Sequence, residues 1–168
     1  LNALLSDLID ISRIESGELK FSLRFFDIAD LINELVHSMA IRAEQRNVHV
    51  DVELCGIRSV YGDKERLSQV LTNLIDNAIE AMGRDGTIVI ETGRDVPNSL
   101  VRIVVADTGP GIPEAERDKL FLPYYSTKGR GSGLGLAIVR RIVAEHGGSI
   151  DVTDNVPTGT RFMIELPA

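Results

Sequence analysis

Tryptophan is absent from the 168 residues, cysteine occurs once, and aromatic residues make up only 5%. A lone Cys55 excludes a disulfide framework and a cysteine metal site, and it fits a reducing compartment. A cytoplasmic chain is therefore expected, which leaves open a membrane anchor elsewhere in a longer parent. Positive charge is also scarce: 18 Lys and Arg stand against 25 Asp and Glu, a net charge of −7. That balance argues against nucleic acid and against an anionic membrane surface as partners. No apolar run reaches the length of a membrane span, and Leu1 opens no signal peptide. The chain starts in mid-pattern without methionine and reads as a cut piece of something longer. Two phosphate-binding signatures are missing as well. There is no G-x-x-x-x-G-K-[ST], and the spacing of Gly131, Gly133 and Gly135 is not G-x-G-x-x-G.

A hydrophobic content of 43% suffices for one core of ordinary size, with room for a small appendage. Residues 1–17 place Leu1, Leu4, Leu8 and Ile11 three and four apart, with Leu5 and Ile9 beside them. This is the wide apolar stripe of a bundle helix ended by Gly17. It reads as half of a helical hairpin whose partner is missing, rather than a terminal helix folded onto its own domain, because Glu18–Phe26 resembles a connector. Its stripe predicts weak self-association unless the helix folds onto the domain.

From Asp27 onward the pattern is α/β. Asp27 caps a helix through about Arg46, Val48–Leu54 alternates as a strand, and Ile57–Tyr61 is a short second strand. Asp63 caps a long helix to Met82, and Gly83–Gly86 turns. Thr87–Gly93 and Leu100–Asp107 are strands, and residues 108–132 form a long loop rich in glycine and proline. A helix over Gly133–His146 and strands at Ser149–Asp154 and Thr160–Leu166 complete the chain.

The run Gly131-Ser132-Gly133-Leu134-Gly135-Leu136 strips side chains from three backbone positions directly before a helix. Backbone N–H groups in such a loop can cradle an anion, and the positive end of the helix dipole lies beside them. Lys128 and Arg130 flank the cradle as candidate phosphate groups. Asn73 and Asn77 lie four apart on one helix face, at the margin of the apolar arc of Leu67, Leu71, Leu74, Ala78 and Met82. An amide oxygen suits Mg²⁺, which is hard and usually combines one or two protein ligands with substrate phosphates. The metal contact is assigned to Asn77.

Asp107 ends an apolar strand and opens onto Thr108-Gly109-Pro110-Gly111. A carboxylate there can receive the exocyclic amine of adenine, whereas guanine presents an oxygen, so ATP is expected over GTP. Gly109 and Gly111 would let the backbone approach a flat base. Thr160 could hydrogen-bond near Asp107. Asp107-Thr108-Gly109 also matches the Asp-Thr-Gly of aspartic proteases, but that reading leaves the glycine cradle and both asparagines unexplained.

Together these residues resemble the ATP-binding catalytic domain of sensor histidine kinases, built on the Bergerat fold shared with gyrase-type ATPases. NLIDNAIEAM resembles the N box, DTGPGIP the first glycine box, LFLPYYSTK the F box, GSGLGLAIVRRIVAEHGG the second glycine box with its helix, and GTRF the last box. The N box and PYYSTKGRGSGLGL are most similar to nitrogen-regulation sensor kinases. The resemblance implies a two-layer α/β sandwich, with a mixed sheet of about five strands and three helices on one face.

It implies ATP and Mg²⁺ as ligands, with Asn77 on the metal, Asp107 on adenine and Gly131–Leu136 around the phosphates. Residues 108–132 would form the lid, with Ile112 and Leu120 lining the adenine pocket and Glu80 and Ala81 beside the nucleotide. It also implies a division into residues 1–20, the end of a dimerisation and phosphotransfer helix with its connector, and residues 21–168, the catalytic domain. The partners implied are that helical domain in a homodimeric parent, and a response regulator.

Two departures matter. None of His37, His49 and His146 is followed by the acidic residue expected after a phosphoacceptor histidine, so the chain should bind ATP without phosphorylating itself. Hydrolysing relatives carry a glutamate base where this chain has Asn73, so free ATP hydrolysis should be slow. Asn73 and Lys128 remain as the candidate catalytic groups for transfer of the γ-phosphoryl group to a histidine. Two other readings are a nucleotide-gated interaction module and a serine kinase of the same fold.

Overall fold

The computed structural model describes residues 2–57, 59–125 and 133–168. Five strands form one mixed sheet: β2 (Val48–Leu54), β4 (Gly86–Asp95), β5 (Leu100–Asp107), β7 (Thr160–Pro167) and β6 (Ser149–Asp154), side by side in that order. β2 and β4 run parallel and the other pairs are antiparallel. Three helices cover one face: α2 (Ile28–Gln45) over β2, α3 (Lys64–Met82) over the centre, and α5 (Gly135–Glu145) toward β6. This is the expected two-layer α/β arrangement. The strands build the core: Ile88 and Ile90 of β4, Val101, Ile103 and Val105 of β5, and Phe162, Ile164 and Leu166 of β7 are buried beneath the helices.

The helix starts follow from their caps. The Asp27 carboxylate accepts from Ala29 N–H at 2.8 Å and Asp30 N–H at 3.4 Å, and the Asp63 carboxylate accepts from Arg66 N–H at 3.1 Å. Asp63 does more than cap. Its other oxygen accepts from Ser22 N–H at 2.8 Å, and its own N–H donates to His146 Nε2 at 2.9 Å. The Nδ1 of His146 lies 2.7 Å from the Ile142 carbonyl, so this imidazole is held as the neutral Nδ1–H tautomer. Phe21 meets the same ring edge-on at 5.5 Å. The connector, the start of α3 and the end of α5 are thus tied at one point, where the sequence suggested only a helix end.

Several boundaries differ from expectation. The connector contains a strand, β1 (Arg24–Asp27), paired antiparallel with β3 (Ser59–Gly62) in a separate two-stranded sheet. β3 itself starts two residues later than expected, and the long loop holds a four-residue helix, α4 (Glu114–Arg117). β4 is longer than expected because β2 pairs with it from Gly86 and β5 pairs with it through Asp95. The helix expected over Gly133–His146 begins at Gly135, since Gly133 has φ +69°.

The first helix, α1 (Asn2–Ser16), has a divided stripe. Ile11 is buried with the α3 and α5 residues, while Leu4, Leu5, Leu8 and Ile9 are exposed. Asp10, also buried, accepts from Arg66 Nη1 at 3.2 Å and Gln69 Nε2 at 2.7 Å. The helix ends as expected at Gly17, where φ is +73° and Glu18 N–H reaches back to the Arg13 carbonyl at 2.8 Å. One side of α1 is therefore fastened to the domain and the other faces solvent.

Candidate functional site

The site runs along one face of α3. Its apolar residues Leu67, Val70, Leu71, Leu74, Ile75, Ala78 and Ile79 are buried, which leaves Asn73 and Asn77 half-buried at the margin. Asn73 Nδ2 donates to the Gly135 carbonyl at 3.3 Å, joining α3 to the first residue of α5. Two turns along, Ala81 meets Gly109: a Cβ at Gly109 would lie 3.6 Å from the Ala81 carbonyl carbon and 3.3 Å from Met82 Cγ. Asn77 stands midway. Eight residues of α3, about 12 Å at 1.5 Å per residue, thus separate the glycine turn after β5 from the start of α5.

Asp107 anchors the first end. Its side chain is buried, and Oδ1 receives Gly109 N–H at 2.8 Å and Thr160 N–H at 3.3 Å. Thr160 is buried beside it, and it bonds the carboxylate through its backbone N–H. The turn between β6 and β7 holds the Asp107 turn at further points that sequence reasoning missed. Asn155 Nδ2 donates to the Asp107 carbonyl at 2.8 Å, and Thr158 Oγ1 donates to the Gly109 carbonyl at 3.0 Å. Gly111, at φ +81°, passes so close that an added Cβ would meet the Gly159 carbonyl oxygen at 3.2 Å. Ile112 packs against the core and Leu120 is buried.

The other end is the start of α5. Its N-cap residue is Leu134, a fully buried side chain that cannot accept a hydrogen bond. The first-turn N–H groups of α5 are therefore not capped in the usual way, and such groups suit an anion. Gly135 lies against Asn73, where an added Cβ would sit 3.7 Å from Asn73 Cγ, and Leu136 packs on the core. Gly133 lies against Tyr124. Its carbonyl accepts from Tyr124 N–H at 3.0 Å, and a Cβ there would lie 2.6 Å from the Tyr124 carbonyl carbon. Lys128, Arg130, Gly131 and Ser132 lie outside the described residues.

Glu80 is exposed and faces α2, where its carboxylate lies 3.9 Å from Arg42 Nη2; Asp76 bonds the same guanidinium more closely. Burial pushes the Asp76 carboxyl above its ordinary range, Arg42 pulls it partly back, and Glu80 pushes it up again. Asn73 also borders a polar groove of about 470 Å³ between α1 and α3, shared with Asp10, Arg66 and Gln69. Among the described residues no three His, Cys, Asp or Glu side chains could jointly hold a metal. The half-buried amide of Asn77 carries the kind of oxygen that Mg²⁺ combines with phosphate oxygens.

Residues 62–168 match the family described as histidine kinase-, DNA gyrase B- and HSP90-like ATPases. The chain is 36% identical to the catalytic domain of histidine kinase ThkA in a nucleotide-free form, with a TM-score of 0.79, covering 87% of this chain and 97% of that one. The chain belongs to this ATPase family, among the histidine kinase catalytic domains. The ATPase domain is also similar to full-length ShkA in complex with AMPPNP, at 30% identity and a TM-score of 0.89 over 98% of this chain and 35% of ShkA. ThkA in complex with the response regulator TrrA gives 32% identity and a TM-score of 0.81 over 99% of this chain and 48% of that one. Among curated proteins, the signal transduction histidine-protein kinase/phosphatase MprB of Mycobacterium sp. (strain KMS) is 37% identical over 175 residues. That match takes in 99% of the ATPase domain chain, which spans about a third of MprB. No helix among the described residues is long and apolar enough to cross a membrane.

Proposed function

We propose that this ATPase domain binds Mg-ATP and donates its γ-phosphoryl group to a histidine on a dimerisation and phosphotransfer domain, from which a response regulator receives it. The observation that carries the reading is the buried Asp107 carboxylate, held by Gly109 and Thr160 at the end of β5 and facing a turn whose glycines admit a flat base. In this reading Asp107 accepts from the adenine amine, Gly109, Gly111, Ile112 and Leu120 shape the base pocket, and Ala81 sits beside the nucleotide. Glu80 acts at most through its ion pair with Arg42. Asn77 supplies an amide oxygen to Mg²⁺. The start of α5 at Leu134, Gly135 and Leu136, with Gly131, Ser132, Gly133, Lys128 and Arg130 before it, takes the phosphates.

Bound magnesium would offset phosphate charge. The protein's part is to orient the triphosphate for in-line attack and to exclude competing water. Asn73 contributes by fixing Gly135 and, as an amide, by offering no base to activate water. Residues 1–20 are read as the end of the dimerisation helix of a homodimeric parent that works in the cytoplasm. ShkA's AMPPNP and ThkA's TrrA support the nucleotide and the receiver in this reading.

The test is to mix the chain with a helical-hairpin domain that bears the histidine and labelled ATP, and to look for acid-labile phosphohistidine. Its absence, in a sample that binds ATP by calorimetry, would reduce the domain to a nucleotide-gated interaction module.

A further inference from the structure

Arg117 joins two places that the nucleotide reading leaves unconnected. Its Nε donates to the Ile112 carbonyl at 3.3 Å, and its Nη2 donates to the Asp154 carboxylate at 2.5 Å. Ile112 closes the glycine turn that begins at Asp107, and Asp154 is the last residue of β6. Helix α4, which carries Arg117, buries none of its four residues and starts at Pro113 without a side-chain cap. Its own side chains give it no buried anchor. The Arg117 guanidinium ties it down, holding a backbone carbonyl with one N–H and a carboxylate with another. The Arg117 side chain is only 21% exposed although Asp154 is 74% exposed. An ion pair so open to water contributes little to the stability of the fold, but it sets a direction. It runs alongside the bond from Asn155, the next residue, to the Asp107 carbonyl. The β6–β7 turn thus grips the base-facing loop at both ends: Asp107 and Gly109 at its start, Ile112 at its finish.

We infer that Arg117 is a positioning residue for nucleotide binding, a strap that holds the Gly111–Ile112 wall of the base pocket against the end of β6 and so sets affinity for the purine. The inference rests on the reading of Asp107 as the adenine-binding group. Its effect belongs at the base end of the cleft, so adenosine must feel it as strongly as ATP does.

The experiment measures ATP binding by calorimetry, and adenosine binding by competition, for the wild-type chain, Arg117→Leu, Arg117→Lys, Asp154→Asn and the Arg117→Leu/Asp154→Asn double variant. Arg117→Leu should weaken both ligands by about five- to tenfold with an unchanged melting temperature. Arg117→Lys should recover part of the loss. The double variant should be no worse than Arg117→Leu alone, because both changes cut the same strap. Wild-type affinity in Arg117→Leu would overturn the proposal. So would a loss for ATP alone, which would make Arg117 a phosphate contact, or a loss that tracks a fall in melting temperature. A wild-type chain that binds no ATP would instead bring down the Asp107 reading itself.

Discussion

Gly159 lies so close to Asp107 that a Cβ built on it would stand 1.8 Å from the Asp107 carbonyl oxygen. The backbone there also has φ +110°, which side-chain-bearing residues rarely adopt. Two strands, β5 and β7, pair up to Ala106 and Arg161, and the chain must then pass the Asp107 turn without a side chain. Gly159→Ala therefore has to push the β6–β7 turn away, which removes the Asn155 and Thr158 bonds with it. The expected cost is about 2–3 kcal/mol, read as a lower melting temperature. ATP affinity should fall further than stability does, because Asp107 loses its alignment while the helical layer stays packed. A variant with wild-type melting and binding would show that the turn can yield without consequence.

Much of the fold could be read along the chain, because its devices are local. The Asp27 and Asp63 caps, the alternation of β2, the apolar run of β5, the short strand β6 and the apolar arc of α3 each lie within one element, and their ends fell where expected. The misses are non-local. β1 is too short to show a pattern, and its partner β3 lies across α2 and β2. His146 acts on Asp63 across 83 residues, and Asn155 acts on Asp107 across 48. Asn155 and Thr158 are ordinary turn residues by sequence, and only the folded turn shows which carbonyls they reach. Arg117 carried no signal either, since a surface arginine on a short acidic segment is commonplace. For the candidate site, the roles proposed for the glycines and Asp107 come from their chemistry in the sequence, whereas Asn155, Thr158 and Arg117, which bond the same turn, gave no such signal.

Asn77 offers a sharper test of the metal reading than of the nucleotide reading. It stands between Asn73, which touches Gly135, and Ala81, which touches Gly109. Asn77→Ala should lower Mg²⁺-dependent ATP affinity by about tenfold or more while adenosine binding, which needs no cation, stays near the wild-type value. Calorimetry with and without magnesium separates the two. Equal loss of both ligands would assign Asn77 to the packing of α3 instead.

Asp76 gives the domain a pH dependence of defined sign. Desolvation raises its carboxyl above the ordinary value of 3.8, Glu80 adds to the rise, and the Arg42 guanidinium opposes it. The folded state therefore keeps its proton at pH values where the unfolded chain has released it. The contribution of Asp76 to stability is fully present below 3.8 and is lost as pH rises through the elevated folded value. Asp76→Asn cannot ionise, so the stability of the variant relative to wild type should improve as pH rises through that window. Denaturant midpoints across the acid range measure this, and a difference that stays flat with pH would contradict it.

A buried carboxylate helps to fasten α1. Asp10 accepts from Arg66 at 3.2 Å and from Gln69 at 2.7 Å, and those two side chains also bond each other at 3.0 Å. Beside Asp10, Ile11 lies in the core with Ile14 packed against it, while four large apolar side chains of α1 face outward. Removing the carboxylate leaves polar groups of α3 without their buried partner, a loss of about 1–3 kcal/mol, comparable with what burying Ile11 contributes. Asp10→Ala should therefore release α1 locally: its amides should exchange with solvent much faster, while those of β4, β5 and β7 keep their protection. Asp10→Asn retains an acceptor for Gln69 and should fall between the two. Since Asn73 borders the same groove, the released form should also expose Asn73 more fully, without altering its bond to Gly135 or the affinity for adenosine. Exchange rates in α1 that do not change would mean that the apolar contacts alone hold the helix in place.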